Sequence, residues 1–163
     1  MKRNNLIVLL ISFISLSSSA FGQCYIKSTD KDAGYITYYL DAEIVAENSD
    51  VSIASSVQMV GNNYYLALTY RFFKKAVPLE EKVGIELQSG YTLELDMYTM
   101  QVGNASGVEL TMAVYNLNPE LFKYFTSSDL KAIHSKTQTG TSLDVPVTNN
   151  QNSLKRQLKC FGK

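Results

Sequence analysis

The chain has 163 residues, with 15 basic and 15 acidic side chains and a formal net charge of zero. That balance excludes the strongly basic surface expected of a protein selected by nucleic acid or by an anionic membrane. Its two cysteines and one histidine lack the short ligand spacing of a zinc site, so no metal site is read from them.

The first residues, Met1-Lys2-Arg3-Asn4-Asn5, form a basic head. A mostly apolar run, 6–16, and the small residues 17–20 follow. Head, apolar middle and small-residue exit are the three parts of a secretory signal peptide. The apolar run is too short for a bilayer, which needs about 20 residues. Ala20-x-Gly22 presents small side chains to the peptidase, so residues 1–22 are expected to be removed. That leaves one domain, 23–163, with 13 basic and 15 acidic residues and no transmembrane segment. The protein is therefore expected to be exported, to a periplasm or beyond the cell.

Cys24 comes next. A lipid-anchor signal calls for Leu-small-small before the cysteine, whereas Phe21-Gly22-Gln23 stands here, so acylation ranks below a disulfide. The other cysteine, Cys160, lies three residues from the end. An oxidising compartment and an even count favour a Cys24–Cys160 bridge. The termini of a domain often lie close together, which suits such a pairing.

Residues 29–35, "TDKDAGY", share the Asp30-x-Asp32 opening of a calcium loop. The glycine falls one position early, and an aspartate occupies residue 41, where the bidentate glutamate belongs. A polar turn is the better reading. Residues 33–47 read as one bent strand or two, and Tyr38-Tyr39 puts one ring on each face of it. Val51, Ile53, Val57 and Met59 alternate with polar or small residues up to a Gly61-Asn62-Asn63 turn. The return strand, 64–73, aligns Leu66, Leu68, Tyr70 and Phe72, and Tyr64-Tyr65 again divides its rings between two faces.

"VPLEEK" (77–82) reads as a connection. Val83, Ile85 and Leu87 then alternate up to Ser89-Gly90, and Tyr91, Leu93, Leu95 and Met97 alternate beyond it. This is an antiparallel hairpin with an acidic outer face. "GNASG" (103–107) is a further turn, and Asn104-Ala105-Ser106 a glycosylation sequon. In 107–117, Val108, Leu110, Met112 and Val114 share a face opposite Glu109 and Thr111. Asn118 then caps a helix over 119–126, with Pro119 at its first position and Glu120 near its positive end. Residues 130–137 return as a strand. Pro146 confines 142–147 to a sheet edge. A last helix over 150–160 carries Leu154 and Leu158 on one stripe. The fold class is β-rich α+β: an antiparallel, meander-like sheet, as a sandwich or partly open barrel, with two short C-terminal helices.

From about residue 64 to 160 this order, with "QSGYTLEL", "YNLNPELF" and "LKAIHSKT" within it, resembles a group of small exported bacterial proteins of unknown function. His134 stands where that group tends to have arginine. The resemblance implies the fold and brings no activity with it.

No catalytic, cofactor-binding or metal signature emerges. His134 is a lone histidine without a nucleophile motif. Glu86, Glu94 and Asp96 would serve a carboxylate-using hydrolase if they lined a cleft, and otherwise they solubilise a sheet face. Tyr38, Tyr39, Tyr64 and Tyr65 are candidate binding aromatics, since a ring on an exposed strand face can stack on a sugar or anchor a protein. The leading expectation is an exported, non-enzymatic binding or scaffolding domain of the bacterial envelope or surface. It needs no cofactor, and its partner is an envelope protein or a glycan. A hydrolase and a subunit that assembles through the 142–147 edge are the alternatives.

Overall fold

The computed structural model describes residues 24–31 and 35–163. The expected signal peptide, 1–22, its preferred cleavage point at Gln23, and residues 32–34 of the calcium-like turn lie outside the described residues.

Period-2 patterning becomes ten antiparallel strands. They are β1 (Lys27–Lys31), β2 (Tyr35–Tyr39), β3 (Glu43–Glu47), β4 (Val51–Val60), β5 (Asn63–Phe72), β6 (Leu79–Leu87), β7 (Thr92–Ala105), β8 (Val108–Asn116), β9 (Leu130–Thr137) and β10 (Ser142–Pro146). Their order is β1-β2-β4-β5-β8-β7-β6-β9-β10, and β3 pairs with β4. The long strand β7 belongs to two leaves. Thr92 to Asp96 pair with β6, whereas Met97 to Ala105 pair with β8. The register shifts between Met97 and Thr99, a bulge at the corner. The leaves face each other across one core, where the Tyr70 hydroxyl of β5 reaches Ser135 Oγ of β9 at 2.6 Å. At the far corner Val147 bridges to Ala46, and the Thr148 N–H donates to the Val45 carbonyl. The ladder stops there, short of a closed barrel.

The core takes Ile53 and Val57 from β4, Leu66 and Leu68 from β5, Val83, Ile85 and Leu87 from β6, and Leu95 from β7. Beside those of β6, in the same leaf, lie Ile133 of β9 and Val145 of β10. Burial pushes the Tyr70 phenol up to about 12, against the pull of its bond to Ser135. Burial, and after it the neighbouring Tyr70, also raise the Tyr115 phenol.

The expected helix at 119–126 is a 3-10 turn, Pro119–Leu121, running into α1 (Phe122–Ser127), and the Asn118 side chain accepts from the Glu120 N–H at 3.0 Å. The last helix is α2 (Ser153–Cys160), with Leu154 and Leu158 buried. It also mends a break in the sheet. β2 pairs with Thr37↔Val60 to Tyr39↔Gln58 and β3 pairs from Glu43↔Ser55, so Ser56 and Val57 of β4 face a gap. There the Val57 N–H donates to Gln157 Oε1 at 2.6 Å, and Ser56 Oγ donates to the Leu40 carbonyl at 2.6 Å. Cys160, at the end of α2, is bonded to Cys24 with 5.4 Å between Cα atoms, within the range a bridge spans.

The structure shows the buried face of β8, corrects the reading of 77–82 and describes Cys24 to Ile26. In β8 the buried face is Thr111, Ala113 and Tyr115, while Met112 is exposed. The small Thr111 and Ala113 sit opposite Tyr70 and Leu68 of β5, where a larger side chain would overfill the core, and Thr111 Oγ1 is satisfied by the Val77 carbonyl. Residues 79–82 are not a connection but the start of β6: Leu79 is buried and pairs with Thr137. Cys24 to Ile26 form no strand, and their side chains are exposed.

Candidate functional site

Strand register decides which side chains stand together on the outer face of the first leaf. Directly opposed residues share a face. One row runs Tyr39, Gln58, Tyr65, Asn116 across β2, β4, β5 and β8. The next runs Ser56, Ala67, Val114, Thr99. The one after runs Ala54, Thr69, Met112, Gln101. Ser56 and Ala67 are small, so the middle row is low and the rows beside it stand up.

The bulge supplies the wall. By strict alternation Tyr98, following the inward Met97, points out and Thr99 would point in. The extra residue keeps both Tyr98 and Thr99 on the outer side, and the inward phase resumes at Met100. Tyr98 is 64% exposed, and its ring packs on that of Tyr65 with centroids 5.0 Å apart and planes tilted by 45°. The resulting groove has a volume of about 360 Å³, with Tyr65 and Tyr98 at one end and Thr37, Gln58, Val60, Gln101, Met112 and Val114 among its lining. Among the described residues no Asp, Glu, Lys or Arg lines it. It therefore offers aromatic faces, methyl groups, amides and hydroxyls, and no fixed charge.

The four candidate tyrosines separate as their pairing requires. Tyr65 lines the groove and Tyr39 shares its row across Gln58. Tyr38 and Tyr64 lie on the opposite face with Met59. Tyr64 is held there by Phe122 and Phe161, at 5.1 and 6.1 Å between ring centroids, and its ring faces the Lys163 ammonium. It is a packing residue. Tyr98 and the two glutamines were missed by pattern reading. The one sequence signal for Tyr98 was the loss of alternation after Met97.

A second cluster lies on the outer face of the other leaf. His134 is opposite both Gly84 and Asp144. A Cβ on Gly84 would lie 3.3 Å from that of His134, so the glycine lets the histidine lie close over β6. His134 Nδ1 is 2.8 Å from Asp144 Oδ1, and Nε2 is 3.3 Å from Glu86 Oε2. Lys131 Nζ donates to Glu86 Oε1 at 2.7 Å. These bonds, that of Lys131 foremost, hold the Glu86 carboxyl below the ordinary range. Lys82 pairs with Glu94, and lies 3.8 Å from Asp96. The hydrogen bond to Glu94 raises the Lys82 ammonium. The three candidate carboxylates are thus each tied to cations, and Glu86 is shifted opposite to what a general acid at neutral pH requires.

Among the described residues no group of three or more His, Cys, Asp and Glu side chains is arranged to hold a metal ion, and no helix is long and apolar enough to cross a membrane. No protein-family model, curated protein or solved structure matches the chain.

Proposed function

We propose that this is an exported, non-enzymatic binding domain of the bacterial envelope or surface, and that it holds an uncharged glycan in the groove beside Tyr65 and Tyr98. The observation that carries the reading is the lining: two aromatic rings, two glutamine amides and threonine hydroxyls, without one ionised group among the described residues. Sugar rings present apolar C–H faces to aromatic rings and hydroxyls that both donate and accept. An amide matches the latter because it carries two donors and one acceptor oxygen. A charged ligand would enter this groove without a counter-charge and lose its hydration for nothing. Export is supported by the basic-apolar-small leader in the sequence, and the terminal disulfide suits an oxidising compartment.

The test is retention of the protein on neutral and on charged polysaccharides, with Tyr98→Ala and Tyr65→Ala beside the parent. Tyr98 is mostly exposed, so its truncation leaves the melting temperature nearly unchanged. A central aromatic anchor is worth about 2 kcal/mol, so the expected loss in affinity is about thirty-fold. Binding to charged polymers alone, or binding to neutral ones that Tyr98→Ala leaves intact, contradicts the proposal.

A further inference from the structure

We propose that the second half of β7 is a docking edge for a second copy of this chain, joined strand to strand about a two-fold axis near Val102. Among the described residues, Thr99 to Ala105 pair only with β8, because β6 leaves β7 at Asp96. A two-residue turn, Ser106-Gly107, both at positive φ, closes this hairpin at Ala105↔Val108. The residues flanking such a turn exchange both backbone bonds, and the pattern alternates from there. Ala105, Gly103, Gln101 and Thr99 therefore bond to β8. The same phase follows from the other side of β8, where the Leu117 N–H donates to the Tyr64 carbonyl and the odd-numbered residues face β5. Met100, Val102 and Asn104 are left with N–H and C=O groups directed out of the sheet.

Proteins usually guard such an edge with charge or proline. Among the described residues, the edge strand β1 carries Lys27, and β10 carries Asp144 and Pro146. The β7 edge reads Thr99-Met100-Gln101-Val102-Gly103-Asn104-Ala105, without charge or proline. The strand is also complementary to itself. In an antiparallel pair about the axis, Val102 meets Val102 of the copy, and Met100 and Asn104 meet each other. Every outward N–H then faces a C=O. No like charges oppose one another, the usual cost of pairing identical strands. Val102 is 45% exposed and would cover its equivalent. On the outer face Gly103, whose missing Cβ has no atom within 4 Å, leaves room beside Gln101 of the copy. Because Thr99 and Gln101 line the groove, pairing joins two grooves along one continuous sheet. An isologous contact of this kind closes at two chains and does not propagate.

The experiment is light-scattering mass of the disulfide-bonded protein over a concentration series, with Val102→Lys, Val102→Pro and Val102→Thr. The parent and Val102→Thr are expected as dimers. Val102→Lys sets two ammonium groups together at the axis and Val102→Pro removes an outward N–H, so each is expected at the mass of one chain with its melting curve retained. Should Val102→Pro fail to fold, Val102→Lys alone decides. A parent protein that remains one chain at every concentration overturns the proposal, and so does a dimer that persists in Val102→Lys. An extended peptide captured by a monomeric parent would identify a different occupant and also overturn it. Tyr65 and Tyr98 are intact in every variant, so polysaccharide retention by the single-chain form tests the groove separately.

Discussion

Glu86 shows how a single side chain couples the second leaf to pH. Lys131 and then His134 hold its carboxyl below the ordinary value of 4.5. A carboxyl whose pKa is lower folded than unfolded stabilises the fold above the unfolded value. That contribution is lost as pH falls through the folded one. Glu86→Gln removes it, so the acid limb of the stability curve becomes shallower while stability near neutrality falls slightly. Melting temperatures of both proteins from neutrality into acid measure this, and an unchanged acid limb contradicts the assignment. Residue types alone predicted carboxylates on an outer face. They did not show that His134 and Asp144 share a row with Glu86 two residues along β6 from it, because that arrangement depends on β6, β9 and β10 being neighbours. Tyr98 has one local signal: a bulge is one extra residue, and it shows in the sequence as a slip of the alternation between Met97 and Met100.

At the scale of elements, the hairpins at 51–73 and 83–97 were readable because one face is buried and the turns are marked by Gly61 and Gly90. In β8 the sequence shows which residues share a face but not which face is buried, since both sides are largely apolar and the deciding quantity is the space left by β5. The role of α2 was half visible. Leu154 and Leu158 announced a docking stripe, but Ser153 and Gln157 are buried on the same helix and no apolar pattern reveals them. Gln157 accepts from the Val57 N–H, and its own amide reaches Ser153 Oγ at 3.1 Å and the Ser55 carbonyl at 3.4 Å. Gln157→Leu keeps the volume and strands the Val57 N–H in the gap between β2 and β3. Leaving such a donor unpaired costs about 1–3 kcal/mol. Denaturant unfolding of Gln157→Leu is expected to show that loss at an unchanged slope. A variant as stable as the parent would mean that the gap is satisfied by water.

Across the whole molecule, the Cys24–Cys160 bridge ties the exposed N-terminal segment to the end of α2. The loop it closes separates the cysteines by 136 positions in sequence. On the chain-entropy model such a closure contributes at most about 5 kcal/mol. The core is assembled from strands of both leaves and does not depend on the bridge. Reduction is therefore expected to lower the melting temperature while circular dichroism still shows a folded sheet. Two thiols that react with an alkylating agent in the denatured, unreduced protein would contradict the pairing.

The central claim is that the uncharged groove on the first leaf is the binding face. Its most direct test is a backbone amide NMR map of the labelled protein, titrated with a pool of neutral envelope oligosaccharides. The account predicts shifts confined to Thr37, Gln58, Tyr65, the Tyr98 bulge, Gln101 and Met112, with the amides of Glu86, His134 and Asp144 unmoved. Shifts centred on the His134 cluster, or none on the first leaf, would contradict it.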